Sequence, residues 1–239
     1  MKMRESQSDV PLAFVPAPRP LVEVVGENTF FPARRIYCVG RNFLAHIREM
    51  GANEREPPFF FQKPTDSIVP SGSSLPYPSA THDLQHEIEL VLAIGRSGRD
   101  IPVRQAATHV FGLAAGIDLT RRDLQVQARK ASRPWESGKS FDHSAPIGPI
   151  RRFNGLTLPT SGAITLRVNE VVRQQGDLAE LIWRLDEVIS ELSRLFSLEP
   201  GDLVFTGTPA GVGTVVPGDR IVGEVAGTEG ITLTISPAT

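Results

Sequence analysis

Polar and apolar residues alternate through Gln85-His86-Glu87-Ile88-Glu89-Leu90-Val91-Leu92-Ala93-Ile94, and Gly95 closes the run. The pattern predicts a strand. Side chains alternate faces along a strand. Ile88, Leu90, Leu92 and Ile94 therefore turn one way, into a core, while Glu87 and Glu89 turn together the other way. Apolar runs at Arg35-Ile36-Tyr37-Cys38-Val39, Phe59-Phe60-Phe61-Gln62, Val110 to Ile117 and Leu203-Val204-Phe205-Thr206 predict further strands. Three more are expected at 164–168, 220–225 and 231–235, with a short one at Leu21 to Val25 and a turn region at Asn28 to Pro32. Asn169-Glu170, Glu199-Pro200-Gly201-Asp202 and Val216-Pro217-Gly218-Asp219 carry turn chemistry.

Helical spacing is sparser. Asn42 to Gly51 predicts a short helix, with Asn42 as N-cap and Gly51 just past the end. Pro102 to His109 predicts another, and Arg121 to Arg129 a third, capped by Thr120. The one long pattern runs from Leu178 to Leu198, where Leu181, Leu185, Val188, Ile189, Leu192 and Leu195 recur at 3.6-type spacing. Residues 65–80 and 131–150 read as loops. The second contains Trp135, Lys139, Phe141 and Asp142, which suits the wall of a shaped cavity.

Composition sharpens the fold class. Among 239 residues, 21 Gly and 20 Pro break the chain into many short segments. Together with the strand patterns, this favours a mainly β fold with a few helices, of the α+β kind, over a helical bundle or doubly wound sheet. Residues 1–33 read as an N-terminal extension or small appendage to a domain spanning 34–239. A net charge of −2, with no basic run, argues against nucleic acid or an anionic membrane as partner. No apolar run is long enough to span a bilayer, and the N-terminus lacks the apolar stretch of a secretory signal. The single cysteine, Cys38, lies in a buried-strand pattern and excludes an internal disulfide. Cytoplasmic location is the expectation.

Candidate chemistry begins with Glu87 and Glu89. Two carboxylates on one face of an apolar strand suit either a solvated face or a hard divalent cation. Asp118, at the polar end of the 110–117 strand, is a third acid to place near them. Were the chain helical from Asp118 onward, Asp118, Arg122 and Gln125 would lie along one side. His46 and Glu49 are helix neighbours, and a carboxylate beside an imidazole can build a general base; the same spacing also describes a surface pair. Lys63 follows directly on a buried strand. The glycine-rich run Gly207-Thr208-Pro209-Ala210-Gly211-Val212-Gly213 lacks the lysine and spacing of nucleotide loops. It suits backbone N–H groups approaching a small oxyanion or carboxylate.

Six ordered motifs together resemble the fumarylacetoacetate hydrolase family. They are Tyr37-Cys38-Val39-Gly40-Arg41-Asn42-Phe43 with His46 and Glu49, Phe60-Phe61-Gln62-Lys63-Pro64, His86-Glu87-Ile88-Glu89-Leu90, Asp118 through Gln125, Gly138-Lys139-Ser140-Phe141-Asp142, and Thr206 through Gly213. The resemblance covers roughly 34–236. It implies a twisted β-sandwich or roll and one Mg²⁺ or Mn²⁺ held by Glu87, Glu89 and Asp118. It also implies catalytic roles for His46, Glu49 and Lys139, with substrate contacts at Arg41, Lys63, Arg122, Gln125 and Thr208. A small oxo-acid substrate and a homodimer are further implications. Arg34 to Asn42, Glu56 to Phe61 and Arg133-Pro134-Trp135 look most like the subgroup that hydrolyses acylpyruvates such as 3-fumarylpyruvate in gentisate breakdown. Oxaloacetate decarboxylation, tautomerisation of a hydroxyheptadienedioate type, and a non-catalytic oxo-acid-binding relative are the competing readings.

Overall fold

The computed structural model describes residues 11–43 and 55–238. Its centre is an eight-stranded mixed sheet. Seven strands lie in the order β4 (Phe59–Lys63), β3 (Arg35–Gly40), β15 (Asp202–Phe205), β8 (Ile88–Ile94), β9 (Val110–Ile117), β11 (Ala145–Ile147) and β5 (Ile68–Pro70). The short β12 (Arg151–Arg152) also pairs with β9. β4 and β5 lie at opposite ends of this order, yet only residues 64–67 separate them in the chain. So short a link forces the sheet to curl until its two ends approach.

A five-stranded sheet packs on the outer face of the curl. Its order is β14 (Val171–Asp177), β13 (Ala163–Val168), β17 (Arg220–Val225), β18 (Ile231–Ser236) and β6 (Ser74–Pro76). Asn169 and Glu170 join β13 to β14 with φ of 49° and 66°, the left-handed pair that a tight hairpin needs. Ile88, Leu90, Leu92 and Ile94 share one core with Ile164, Leu166, Ile221 and Leu233 of this sheet. The opposite face of β8 is buried too. Val91 and Ala93 join Ile36, Cys38, Leu203 and Phe205 inside the curl. At the far end of that inner core sits the hairpin β1 (Leu21–Glu23) and β2 (Phe30–Pro32), through Val22, Val24 and Phe31. Burial raises the Cys38 thiol well above its ordinary value, so it is an inert packing group.

Several expectations about elements are corrected. The 85–94 strand is two strands: β7 (Leu84–His86) belongs to a three-stranded sheet with β10 (Thr120–Arg121) and β16 (Gly213–Thr214), and the chain changes sheets at Glu87. The region 65–80 is not all loop, since it holds β5 and β6. Thr120 caps nothing: it is a strand residue, and the helix α1 (Arg122–Lys130) starts after Arg121 without a side-chain cap. Within 131–150 a short helix α2 (Glu136–Lys139) and β11 form.

The long helix is shorter than its apolar spacing implies. α3 (Leu185–Leu195) is the regular part. Ahead of it Leu181 bridges to Phe43, and the Ile182 N–H donates to the Asn42 carbonyl. The Asn42 side-chain oxygen accepts from the Trp183 N–H at 2.8 Å, and its amide donates to the Trp183 and Thr206 carbonyls. Leu195, at the end of α3, is exposed. The remainder of the expected 42–51 helix, with His46 and Glu49, lies outside the described residues. No helix among the described residues is long and apolar enough to cross a membrane.

Candidate active site

Strand register brings the acids together. β8 and β9 are antiparallel, with Ile88 opposite Ile117 and Glu89 opposite Gly116. The next pair outward is Glu87 and Asp118, where the Asp118 N–H donates to the Glu87 carbonyl at 2.9 Å. Residues directly opposite share a face, so Glu87, Glu89 and Asp118 all point to the inner side of the curl. Each offers a carboxylate oxygen within 4.8 Å of the others. They are 8%, 2% and 1% exposed, so the solvated-face reading of Glu87 and Glu89 is excluded. Gly116 is required in this row: a Cβ there would meet both the Phe205 ring and Val91 at 2.6 Å.

Buried like charges must be compensated. Lys139, the last residue of α2, places Nζ 2.7 Å from Asp118 Oδ2, 2.9 Å from Glu87 Oε2 and 2.7 Å from Thr120 Oγ1. Gly138 lets α2 approach this closely, since a Cβ would lie 2.8 Å from the Gln125 backbone nitrogen. Arg122 donates to Glu87 and to Gln85. Burial alone would raise the Glu87 pKa, but Lys139 and Arg122 outweigh it and hold the carboxyl down at about 2. No cation among the described residues pairs with Glu89, and Lys139 lowers its pKa only from a distance. Burial, then Asp118 and Glu87, push its pKa well above the ordinary value against one backbone donor, the Gly207 N–H at 2.6 Å. Burial opposes the charge on Lys139, but Asp118 and Glu87 raise its pKa overall.

The donor set fits a hard divalent cation. Among the described residues three carboxylates and nothing softer converge, the ligand chemistry of Mg²⁺ or Mn²⁺. One atom is left over: Asp118 Oδ1 is buried and has no aligned hydrogen-bond donor. Lys63 Nζ stands 2.8 Å from that oxygen, so the contact is one of charge rather than hydrogen-bond geometry.

The acids form the floor of a cleft of about 440 Å³. Arg41, Arg122, Gln125, Thr208 and Lys139 line it. Lys63 does not. It is 2% exposed, lies beneath Asp118 and donates to the Leu119 and Lys139 carbonyls. Its assignment as a substrate contact is therefore corrected: the curl turns the end of β4 inward, and Lys63 supports the acids from behind. Asp118, Arg122 and Gln125 do converge, but through a strand followed by a helix rather than one continuous helix. Of the loop residues expected in the wall, Trp135 and Lys139 line the cleft, Phe141 is buried behind it and Asp142 is exposed.

Gln85, Val126 and Arg129 are lining residues that the sequence analysis did not single out. Arg122, Gln125, Val126 and Arg129 have one-face helical spacing, which was the available signal. A further group stands behind the glycine-rich loop. Gln174 Nε2 donates to Thr208 Oγ1 at 2.8 Å and to the Pro209 carbonyl at 2.9 Å. Its Oε1 accepts from the Ile88 N–H at 3.1 Å and pairs with His86 Nδ1 at 2.8 Å. An amide oxygen only accepts, so Nδ1 carries the His86 proton. Burial lowers the His86 pKa despite the Gln174 contact, which keeps the ring neutral. Thr208, accepting from Gln174, retains its own hydroxyl proton for donation.

A curled mixed sheet with three acids on adjacent strands and a lysine from a short helix defines the class. Residues 35–235 match the fumarylacetoacetate (FAA) hydrolase C-terminal family, and the chain belongs to it. It is 44% identical over 183 residues to the fumarylpyruvate hydrolase of a Ralstonia species, covering 77% of this chain and 95% of that protein. The crystal structure of fumarylpyruvate hydrolase from Pseudomonas aeruginosa in complex with Mn²⁺ and pyruvate superposes with a TM-score of 0.91 at 50% identity, covering 95% of this chain and all of the other. The mitochondrial oxaloacetate tautomerase of Homo sapiens is 35% identical over 202 residues, 84% of this chain and 91% of that protein.

Proposed function

We propose that this protein is a divalent-metal-dependent hydrolase that cleaves the carbon–carbon bond of an acylpyruvate, with 3-fumarylpyruvate as substrate and fumarate and pyruvate as products. The observation that carries the reading is the buried Glu87, Glu89 and Asp118 cluster opening into a cleft whose walls include Arg41, Arg122, Arg129 and Lys139. A small oxo acid bearing carboxylates needs that combination of cation-binding floor and cationic wall. The similarity to fumarylpyruvate hydrolases supports the choice of acyl group.

Glu87, Glu89 and Asp118 would hold Mg²⁺ or Mn²⁺, and a bound ion supplies Lewis-acid stabilisation of the enolate that leaves. The chain's own residues do the rest. His46, backed by Glu49, takes a proton from water, and the hydroxide adds to the C4 carbonyl. The Thr208 hydroxyl donates to the oxyanion that develops there, and Lys139, held against Glu87, Asp118 and Thr120, contributes its positive charge. The C3–C4 bond then breaks, its electron pair passes to the pyruvate fragment as the enolate, and a proton returned to C3 gives pyruvate. One water is consumed, and its oxygen ends in the fumarate carboxylate.

The test is turnover with Mg²⁺ or Mn²⁺ of 3-fumarylpyruvate, acetylpyruvate and oxaloacetate, following diketone absorbance and pyruvate release. Stoichiometric pyruvate from the acylpyruvates is expected. Tautomer interconversion or carbon dioxide release from oxaloacetate, with both acylpyruvates inert, overturns the hydrolase reading. His46→Ala should retain metal binding and lose hydrolysis; unchanged hydrolysis removes the proposed base. The same reading extends to a cytoplasmic homodimer serving gentisate breakdown, for which sedimentation of the purified protein tests the subunit count.

A further inference from the structure

Among the described residues four cations line the cleft, and they differ in how they are engaged: Arg41 lies over the Phe59 ring. Lys139 is held by Glu87, Asp118 and Thr120. Arg122 is held by Glu87, Gln85 and Gln125. Arg129 lines the same cleft, and its guanidinium makes no ion pair or hydrogen bond among the described residues. All the acids in the wall, Glu87, Glu89 and Asp118, cluster at the floor. An exposed guanidinium facing a cleft without a carboxylate of its own suits an anionic group of the ligand.

Helix geometry places that group. Arg122, Val126 and Arg129 are at positions i, i+4 and i+7 of α1, on one face. The backbones of Arg122 and Arg129 are separated by about 10 Å along the axis at 1.5 Å per residue. The first arginine touches Glu87, so the helix runs from the acidic floor outward. Between its two arginines the helix presents Gln125 and Val126 to the cleft, and Phe61 and Trp135 are also in the wall. A seven-carbon chain of ~1.5 Å bonds spans roughly 8 Å between terminal carbons, close to the separation of the two arginines.

We propose that Arg129 is the specificity-determining residue that selects a dicarboxylic oxo acid, by pairing with the carboxylate at the end remote from the 2-oxo group. This rests on the oxo-acid reading of the floor and adds to it the far end of the ligand. Val126, Phe61 and Trp135 flank the planar carbon chain in between. A monocarboxylic acylpyruvate reaches the floor equally well and leaves Arg129 unpaired.

Calorimetry on the Mn²⁺-loaded protein tests this without turnover, using 2-oxoheptanedioate against 2-oxoheptanoate, which has the same length but lacks the far carboxylate. Wild type should bind the dicarboxylate at least ~10-fold more tightly, the scale of one charge-assisted hydrogen bond. Arg129→Met should abolish that preference and leave 2-oxoheptanoate affinity unchanged, and Arg129→Lys should restore part of it. In turnover, Arg129→Met should raise KM for 3-fumarylpyruvate and spare acetylpyruvate. Equal affinity of wild type for the two ligands, or a preference that survives in Arg129→Met, overturns the proposal. If the preference behaves as expected and neither acylpyruvate is cleaved, the hydrolase reading fails and the assignment of Arg129 stands.

Discussion

Asp118 faces Glu87 across adjacent antiparallel strands, and the amide of one donates to the carbonyl of the other at 2.9 Å. That backbone bond fixes where the two carboxylates stand, while Lys139 offsets their charge. Removing either carboxylate should therefore spare the sheet and destroy the cation site. Glu87→Ala and Asp118→Ala are each expected to abolish metal-dependent turnover and Mn²⁺ binding by calorimetry, with unchanged circular dichroism. Chelation should likewise silence the wild type, and full activity of Glu87→Ala after chelation would refute the assignment.

Lys63 offers a contrasting case. It is buried beneath Asp118 and does not line the cleft. Breaking a buried pair by removing one partner costs ~3–5 kcal/mol, because the other charge is left uncompensated. Lys63→Met should lower the denaturation midpoint by a corresponding amount. A rise in KM with stability unchanged would return Lys63 to the substrate.

Gln174 acts on the site through Thr208. In Gln174→Ala the His86 and Ile88 donors lose their common acceptor, and Thr208 loses the amide that holds its oxygen. Each buried group left unpaired costs ~1–3 kcal/mol. The expected result is a lower Tm together with a reduced kcat/KM. Gln174→Glu, which keeps an acceptor for His86 but replaces the donor to Thr208, should recover stability more than activity.

The first turn of α1 carries a pH dependence of its own. Burial opposes the charge on Asp123, but the Thr81 hydroxyl and the His82 and Leu124 N–H groups hold its pKa below the ordinary 3.8. A carboxyl depressed in the folded state stabilises above its unfolded pKa and loses that contribution as pH falls through the folded one. Melting curves of the wild type should therefore fall more steeply below pH ~3.8 than those of Asp123→Asn. Parallel acid limbs in the two proteins would count against the role.

How far these features were legible in the sequence depends on their range. Glu87 and Glu89 could be read because strand alternation is local, and Asp118 because it ends a strand of clear apolar pattern. The inward position of Lys63 follows from the curl, which arises when β4 and β5 close over the four residues between them; periodicity carries no sign of that. Arg129 had the right helical spacing from Arg122, but spacing alone does not say which face of α1 meets the cleft. His86 and Gln174 are 88 positions apart and meet only through the packing of two sheets. The long apolar pattern failed at Leu181, which is buried through its bridge to Phe43 rather than on a helix face. His46 and Glu49 lie outside the described residues, so their roles rest on the family motif.

Gly116 constrains how this molecule can drift. The missing methyl at that position is the space taken by Phe205 and Val91, so 116 cannot gain a side chain while both neighbours keep theirs. A lineage that gained a side chain at 116 would have to make room at both Phe205 and Val91, and Glu89, its cross-strand partner, would feel the shift. A residue with no side chain thus restrains a carboxylate of the floor, and joint changes at 91, 116 and 205 are the route by which this floor can be remodelled.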